Sequence, residues 1–233
     1  MSRHHQTSTP LTMVSKSIRN SFRSMQVFSS KHVSLPATDS MEAFLLDFDA
    51  YHALCQELET PKNLQLDPHL LNIGKQVQQG IRSWTKSDLK DIVRWKRCPG
   101  VMLQIENTPD IDERLKRAFK IKDEENRLKA LCRIPGVGRV VASAMLTFTS
   151  PEFYGILDRH AWNGLNILGF NLPRKDGDGI NFTFLQLLMF LRIVRKLAAH
   201  KGTTPAEVCK VLYALDKVRE NKKWKAQLDI IKK

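Results

Sequence analysis

The sequence predicts an all-α protein. Apolar residues recur every three or four positions along most of the chain, which is the spacing of one helical face, whereas few segments alternate apolar and polar residues as strands do. Helix-start signals point the same way. Thr204, Pro205 and Glu207, for example, supply a cap residue, a first-turn proline and an acid at the position that completes the cap. The 233 residues suffice for one large domain or two smaller lobes.

Caps, prolines and glycines delimit the expected helices. Asp39 with Glu42 predicts a capping box for the first helix, and Thr85 caps a helix that Pro99-Gly100 ends. In chain order, the expected helices cover about residues 39–58, a segment from Leu70 past Val77, residues 85–95, 110–119, 124–133, 139–148, 159–168 and 182–199, a segment from Thr204 onward, and the basic tail from Lys217 to near the end.

The charge of the chain favours a polyanionic partner. Lys and Arg number 37 against 24 Asp and Glu, which leaves a formal net charge of +13. Such an excess makes nucleic acid the first candidate. No apolar run has the length that a transmembrane helix needs, so a membrane protein is not expected.

The cysteines predict neither a disulfide scaffold nor a metal centre. There are four in the chain, and no two of them form a CxxC pair. A secreted disulfide protein has more cysteine, and a zinc or iron–sulfur site clusters its ligands. We therefore expect reduced thiols in an intracellular protein with no metal or other cofactor.

Residues 1–38 differ in composition from the rest. They are basic, rich in serine and threonine, and contain no acidic residue. This composition is typical of an organelle targeting peptide, of a basic arm that lies along phosphates, or of a disordered tail that has no targeting function. The three alternatives leave the location open between the cytoplasm or nucleoid, the nucleus and an organelle.

The segment Leu131–Met145 carries the most specific signal for function. Two glycines, Gly136 and Gly138, flank Val137 between two short helices. We expect glycine to supply a positive φ and to let a phosphate approach the backbone amides, at a point that also faces the positive end of a helix dipole. Arg139 and Lys129 are candidate additional phosphate contacts. The alternative is that the turn only joins two helices.

The hairpin and the residues after it resemble the helix-hairpin-helix DNA glycosylase superfamily, which includes endonuclease III. The resemblance covers residues 131–169 and rests on Ile134-Pro135-Gly136-Val137-Gly138, a helix of small residues, and Asp158 in the segment 156–161. It implies a two-lobed fold. One lobe would comprise residues 39–65 and 159–233, and the other, a helical barrel, residues 66–158.

The resemblance also implies roles for single residues. Asp158 would stabilise the oxocarbenium-like transition state and orient the attacking water, and the alternative is that it only caps the helix beginning at Arg159. His160 matches a family histidine, but a packing role is favoured for it. Tyr154 and Trp162 are candidates for a base pocket, with a core position as the favoured alternative.

Departures from the family pattern narrow the expected activity. Bifunctional members carry a lysine where this chain has Val140, so the resemblance implies a monofunctional enzyme. Only Cys209 lies where related enzymes bind an iron–sulfur cluster, so no cluster is expected. Arg159 follows the aspartate where the family often has threonine.

The sequence thus predicts a monomeric, monofunctional DNA glycosylase that acts on a damaged or mispaired base in double-stranded DNA. Two alternatives remain open. One is a helix-hairpin-helix protein that binds DNA without chemistry, and the other is a helical scaffold whose charge serves RNA or a ribonucleoprotein.

Overall fold

The structure is a computed structural model that describes residues 38–57, 67–170, 172 and 181–232, with the side chains of the first helix described from Asp47 to Gln56. Every described regular element is helical, which confirms the all-α prediction. The helices are α1 (Thr38–Glu57), α2 (Pro68–Gln78), α3 (Lys86–Trp95), a 3-10 turn (Pro99–Val101), α4 (Met102–Glu106), α5 (Ile111–Lys120), α6 (Glu124–Cys132), α7 (Arg139–Thr149), α8 (Arg159–Ile167), α9 (Phe184–Lys201), α10 (Pro205–Glu220) and α11 (Lys222–Ile231).

Local cap chemistry explains why these helices begin where they do. Thr85 and Asp88 form the two reciprocal hydrogen bonds of a capping box at the start of α3. Thr204 caps α10 by accepting a hydrogen bond from the amide of Glu207, with Pro205 in the first turn, as predicted. The side chains of the capping box expected at Asp39 and Glu42 lie outside the described residues.

Two features of the helix pattern differ from the prediction. The chain does not simply leave the helix at Pro99 but forms the 3-10 turn and the five-residue α4. The basic tail is helical, but it divides at Asn221, whose side chain accepts a hydrogen bond from the amide of Lys223 and begins α11. A side-chain cap within a helical run offers the backbone an alternative to continuing the helix, which explains the break.

Helix α7 is the centre of the main core. From Val141 to Thr149 every residue is buried, and α7 contacts α2, α3, α6 and α9. Its small side chains Ala142, Ser143 and Ala144 are fully buried, as expected for a helix that neighbours approach closely. The hairpin at the start of α7 is therefore anchored in the most deeply buried part of the protein.

Helix α1 packs with the C-terminal helices α10 and α11, as the sequence suggested for one lobe. A smaller apolar cluster joins these three helices; it comprises Leu54, Cys55, Tyr213, Ala214, Trp224 and Leu228. The main cluster nevertheless includes residues from both expected lobes, for example Leu89 and Phe190. The all-α architecture is thus established, and the two-lobed glycosylase arrangement stays a prediction.

Helices α8 and α10 cross at van der Waals contact of their backbones. A β-carbon added at Gly164 on α8 would lie 2.3 Å from the carbonyl oxygen of Leu212 on α10. The crossing brings α10 alongside the first turn of α8, so that Tyr213 contacts His160 with ring centroids 4.7 Å apart. None of the helices in the described segments combines the length and apolar character needed to cross a bilayer.

We expect Gly164→Ala to lower the free energy of unfolding by about 2 kcal/mol, because a methyl group there must push α8 away from the backbone of α10. Urea unfolding followed by circular dichroism measures the change. Gly100→Ala is the matched control, since nothing lies within 4 Å of a β-carbon at Gly100. A loss at Gly164 no larger than that at Gly100 contradicts the close crossing.

Candidate active site

The hairpin between α6 and α7 is built on a tight turn. The amide of Val137 donates to the carbonyl of Ile134 at 2.9 Å, which places Pro135 and Gly136 at the two central positions. Gly136 has φ +81°, and a β-carbon there would lie 2.5 Å from Cγ1 of Ile105. Glycine is therefore required at this position for both backbone conformation and space.

The structure separates the roles of the two hairpin glycines. The amide of Gly136 is buried and donates to Oε1 of Gln104 at 3.1 Å, so it is engaged within the protein. Val137 is buried in the main core. Gly138, by contrast, is exposed and has φ −76°, which corrects the expectation that it supplies a positive φ. Nothing lies within 4 Å of a β-carbon placed on it.

Gly138 is the N-cap residue of α7 and has no side chain with which to cap it. The first hydrogen bond of the helix runs from the amide of Ala142 to the carbonyl of Gly138 at 2.8 Å. The amides of the first turn therefore have no acceptor in the part of the chain that the structure describes. Such amides, together with the helix dipole, favour an anion.

Asp158 is the N-cap of α8, as the alternative interpretation of this residue predicted. Its Oδ1 accepts a hydrogen bond from the amide of Ala161 at 2.7 Å. The residue before it is held to the hairpin helix, because the amide of Leu157 donates to the hydroxyl of Ser143 at 3.0 Å. This bond fixes the start of α8 beside α7.

The second carboxylate oxygen of Asp158 binds a lysine from a distant segment. Nζ of Lys96, at the end of α3, lies 3.0 Å from Oδ2, and the two side chains are only 7% and 16% exposed. Burial alone raises the pKa of Asp158, but the Lys96 ammonium and the amide of Ala161 outweigh it and hold this pKa below its ordinary value. Asp158 is therefore ionised at neutral pH.

Lys96 reaches this position through an unusual helix end. The amides of Arg97 and Cys98 donate back to Arg94 and Val93, which is the Schellman pattern, and Arg97 takes the left-handed conformation with φ 55°. Glycine is the common residue at that position because a side chain is strained there. The arrangement directs the chain so that Lys96 and Arg97 both border the same pocket.

A pocket of about 460 Å³ lies between the hairpin, the end of α3, the start of α8 and α10. Its size is within the range of sites that bind small organic groups. Fourteen residues line it: Lys96, Arg97, Cys98, Val101, Gly138, Arg139, Val140, Val141, Asp158, Arg159, His160, Asn181, Phe182 and Tyr213.

Four of the residues singled out in the sequence meet in this pocket, namely Gly138, Arg139, Asp158 and His160. The other predicted contacts lie elsewhere. Lys129 forms an ion pair with Glu125 at 2.6 Å and does not line the pocket.

The two aromatic residues proposed for a base pocket are core residues. Tyr154 is buried beside Arg195, whose guanidinium lies 5.0 Å from the ring centroid. Trp162 is fully buried and packs edge-to-face on Phe182 at 5.2 Å. Neither lines the pocket, and the aromatic rings that do are those of Phe182 and Tyr213. Burial raises the pKa of Tyr213 to about 12, with a further rise from Asp158, so its hydroxyl stays neutral.

His160 is held by a buried carboxylate. Its Nδ1 lies 2.7 Å from Oδ2 of Asp216, which is completely inaccessible to solvent. Asp216 also accepts a hydrogen bond from Arg219 at 3.2 Å. His160, Asp216 and Glu220 place three potential ligand atoms within 4.8 Å of one another. Because Asp216 is already bonded to His160 and to a guanidinium, the donor set favours an ion-pair network over a metal.

Sequence reasoning did not predict the contacts of Lys96, Phe182, Tyr213 and Asp216 in this site. The basic end of α3 is a local signal for Lys96, but by itself it fits a solvated helix terminus or a phosphate contact. Comparison with family models, with curated proteins and with solved structures finds no match to this chain.

We expect Lys96→Met to lower the free energy of unfolding at neutral pH by about 3 kcal/mol, because it leaves the nearly buried Asp158 carboxylate without a counter-ion. The sign of its pH dependence follows from linkage. In the wild type the lowered pKa of Asp158 stabilises the fold above the ordinary value of 3.8, and this stabilisation is lost as pH falls through the folded-state pKa. The difference between the two proteins should therefore shrink in acid.

Urea unfolding at a series of pH values measures both effects. Lys90→Met is the matched control, because the partner of Lys90 is the exposed Glu106. A half-exposed pair of this kind is worth less than about 1 kcal/mol. Equal losses in the two variants, or a difference from the wild type that does not change with pH, would contradict the role given to Lys96.

Proposed function

We propose that this protein is a monofunctional DNA glycosylase-like enzyme that hydrolyses the N-glycosidic bond of a damaged or mispaired base. One observation carries the proposal. The carboxylate of Asp158 borders the same pocket as the exposed N-terminus of α7 at Gly138. A group that stabilises positive charge on a sugar and a group that binds phosphate therefore lie side by side.

The proposed chemistry uses the fixed charge of Asp158. As the bond from C1′ to the base nitrogen breaks, its electron pair stays on the base and positive charge builds on the sugar. A preorganised carboxylate near C1′ stabilises this charge. Two of the lone-pair directions of Asp158 are taken by Ala161 and Lys96, and those remaining can accept the proton of the attacking water, whose oxygen bonds to C1′.

The proposed DNA contacts combine the backbone amides of the first turn of α7 with two arginine side chains. Arg139 and Arg97 are exposed at the pocket and have no carboxylate partner in the described segments. Phosphate contacts of this kind position a strand without reading its sequence. They would hold the backbone beside a nucleotide turned out of the stack into the pocket.

The absence of a nucleophilic amine at the hairpin supports the monofunctional assignment. Val140 lines the pocket where the resembled bifunctional enzymes have lysine. The lysine that does line it, Lys96, is paired with Asp158, and an ammonium group cannot attack a sugar.

The competing candidate is a DNA-binding protein without chemistry. One observation favours it: both oxygens of Asp158 already have structural partners, the α8 amide and Lys96. In that case Asp158 organises the pocket and the hairpin binds DNA alone.

Asp158→Asn distinguishes the two candidates. Asparagine keeps the cap on α8 but removes the charge and leaves Lys96 without its partner. We therefore expect base release per folded molecule, with the folded fraction measured by circular dichroism, to fall by at least about 100-fold while affinity for DNA survives. The assay incubates the protein with duplexes that carry different lesions and then uses alkali to break the strand at abasic sites. Asp123→Asn is the matched control, because Asp123 caps α6 in the same way through the amide of Asn126.

Each result obtained with the lesion-containing duplexes distinguishes the glycosylase from the DNA-binding protein without chemistry. Release that is lost in Asp158→Asn and kept in Asp123→Asn supports the enzyme. Tight binding without release from any lesion supports the DNA-binding protein. Release that persists in Asp158→Asn assigns the chemistry to a different residue.

Borohydride trapping tests the monofunctional assignment separately. With an ion-paired Lys96 and Val140 in the pocket, we expect no covalent adduct between protein and lesion-containing DNA, measured as a shifted band on a denaturing gel. An adduct that forms in the wild type and is lost in Lys96→Met would show that Lys96 is a nucleophile and that the enzyme is bifunctional.

A further inference from the structure

Arg159 is a charged residue in the pocket that the proposed chemistry leaves unused. It occupies the first position of α8, directly after Asp158, and its side chain is partly buried. No carboxylate pairs with it in the segments that the structure describes, and its one hydrogen-bond contact there is with His160. Nη2 of Arg159 lies 3.4 Å from Nε2 of that histidine.

A chain of contacts fixes the direction of the Arg159 guanidinium. Asp216 is fully buried and accepts from Nδ1 of His160 at 2.7 Å. Nδ1 of the ring faces Asp216, so Nε2 lies on the opposite side of the ring, where it faces Arg159. Tyr213 packs edge-to-face on the same histidine and limits rotation of its ring. Asp216 thus holds His160, and His160 in turn contacts and positions the guanidinium of Arg159.

The fixed charges of the pocket are unevenly balanced. Lys96 and Asp158 neutralise each other at 3.0 Å. Arg97, Arg139 and Arg159 remain, and an arginine side chain does not lose its proton in a protein. A pocket with this surplus disfavours a cationic ligand and stabilises negative charge.

We infer that Arg159 makes the pocket selective for bases that leave the sugar as anions, such as uracil and oxidised bases with acidic ring amides, against cationic N-methylated purines. The inference rests on the proposed glycosylase function and names its substrate class. Arg97 and Arg139 are exposed at the pocket and suit the phosphates. Arg159 is the guanidinium held inside by the histidine.

The two classes of base differ in the charge that develops on the leaving group. When C1′ separates from a neutral base, the electron pair of the bond leaves the base with a negative charge, which a fixed guanidinium stabilises as it forms. The water oxygen bonds to C1′, its proton passes through Asp158 to solvent, and the base anion later takes a proton from solvent. An N-methylated purine begins as a cation and leaves as a neutral base. Arg159 therefore disfavours its binding, and no negative charge develops on the leaving base for Arg159 to stabilise.

The experiment compares single-turnover rates of base release from duplexes with uracil, with 8-oxoguanine and with N7-methylguanine. For the wild type, we expect release from at least one neutral-base duplex to exceed release from the N7-methylguanine duplex. Arg159→Gln should lower the ratio of these two rates by roughly 100-fold, as loss of one preorganised donor does in other enzymes. Arg159→Lys should restore part of the ratio, because it keeps the charge but loses the planar fork.

Two further variants test whether Asp216 positions Arg159 through His160, and whether another arginine of the pocket has the same effect. Asp216→Ala should lower the same ratio, because it removes the oxygen that holds Nδ1 of His160 and thereby loosens Arg159. The ratio of two rates from one preparation does not depend on the folded fraction, so it separates positioning from a loss of stability. Arg139→Gln removes an equal charge from the exposed hairpin side of the pocket; it should weaken both reactions and lower their ratio far less than Arg159→Gln does.

The outcomes separate this inference from the function it rests on. Faster release of N7-methylguanine than of any neutral base overturns the inference but leaves a glycosylase. An unchanged ratio in Arg159→Gln, or an equal fall in Arg139→Gln, also overturns the role given to Arg159. Release from no duplex overturns the proposed function and the inference with it.

Discussion

The ion pair between Lys96 and Asp158 is the contact on which the pocket depends. It connects the end of α3 to the start of α8 across 62 residues of sequence, with both side chains almost out of water. Each partner is a charge that is costly to bury alone, so the two segments are held together as long as both are ionised. The cap to Ala161 fixes the other carboxylate oxygen. Asp158 is therefore immobilised at both oxygens before any ligand arrives.

The same pair sets the electrostatic potential that the pocket would offer to the sugar of the proposed substrate. A nearby ammonium reduces the negative potential that a carboxylate offers, yet it also guarantees that the carboxylate is charged. The ion pair therefore acts on a ligand as a fixed dipole whose negative end is Asp158, and not as an isolated anion. On this basis a developing positive charge is favoured beside Asp158. Negative charges are favoured beside Arg97, Arg139 and Arg159, which have no carboxylate partner in the segments that the structure describes. The proposed substrate, an N-glycoside attached to phosphates, would have this pattern as its bond breaks.

How far the sequence predicts this arrangement depends on the range of each interaction. Helix starts at Thr85, Thr204 and Asp158 follow from contacts within three residues, and the structure confirms them. The five-residue α4 was not predicted, because so short a helix carries too few residues to show a period and is stable only through packing. Helical periodicity likewise could not show that the tail divides at Asn221.

The pocket was less predictable than the helices because packing decides its walls. Trp162 and His160 lie on the same helix, two residues apart, yet one is in the core and the other lines the pocket. The crossing of α8 and α10 at Gly164 contributes to this difference, because it brings Tyr213 to the pocket from a distant part of the chain. The ion pair of Lys96 could not be predicted for the same reason, since its partner is distant in the chain.

Two residues at this pocket, Gly138 and Arg97, are not required by the packing of the protein. At Gly138 the chain has glycine although neither φ nor space requires it. At Arg97 it has a long charged side chain although the left-handed conformation favours glycine. The packing of the protein requires neither residue. The proposed nucleic-acid partner would account for both, because a strand of phosphates needs an unobstructed approach to the amides of α7 at one side and a guanidinium at the other.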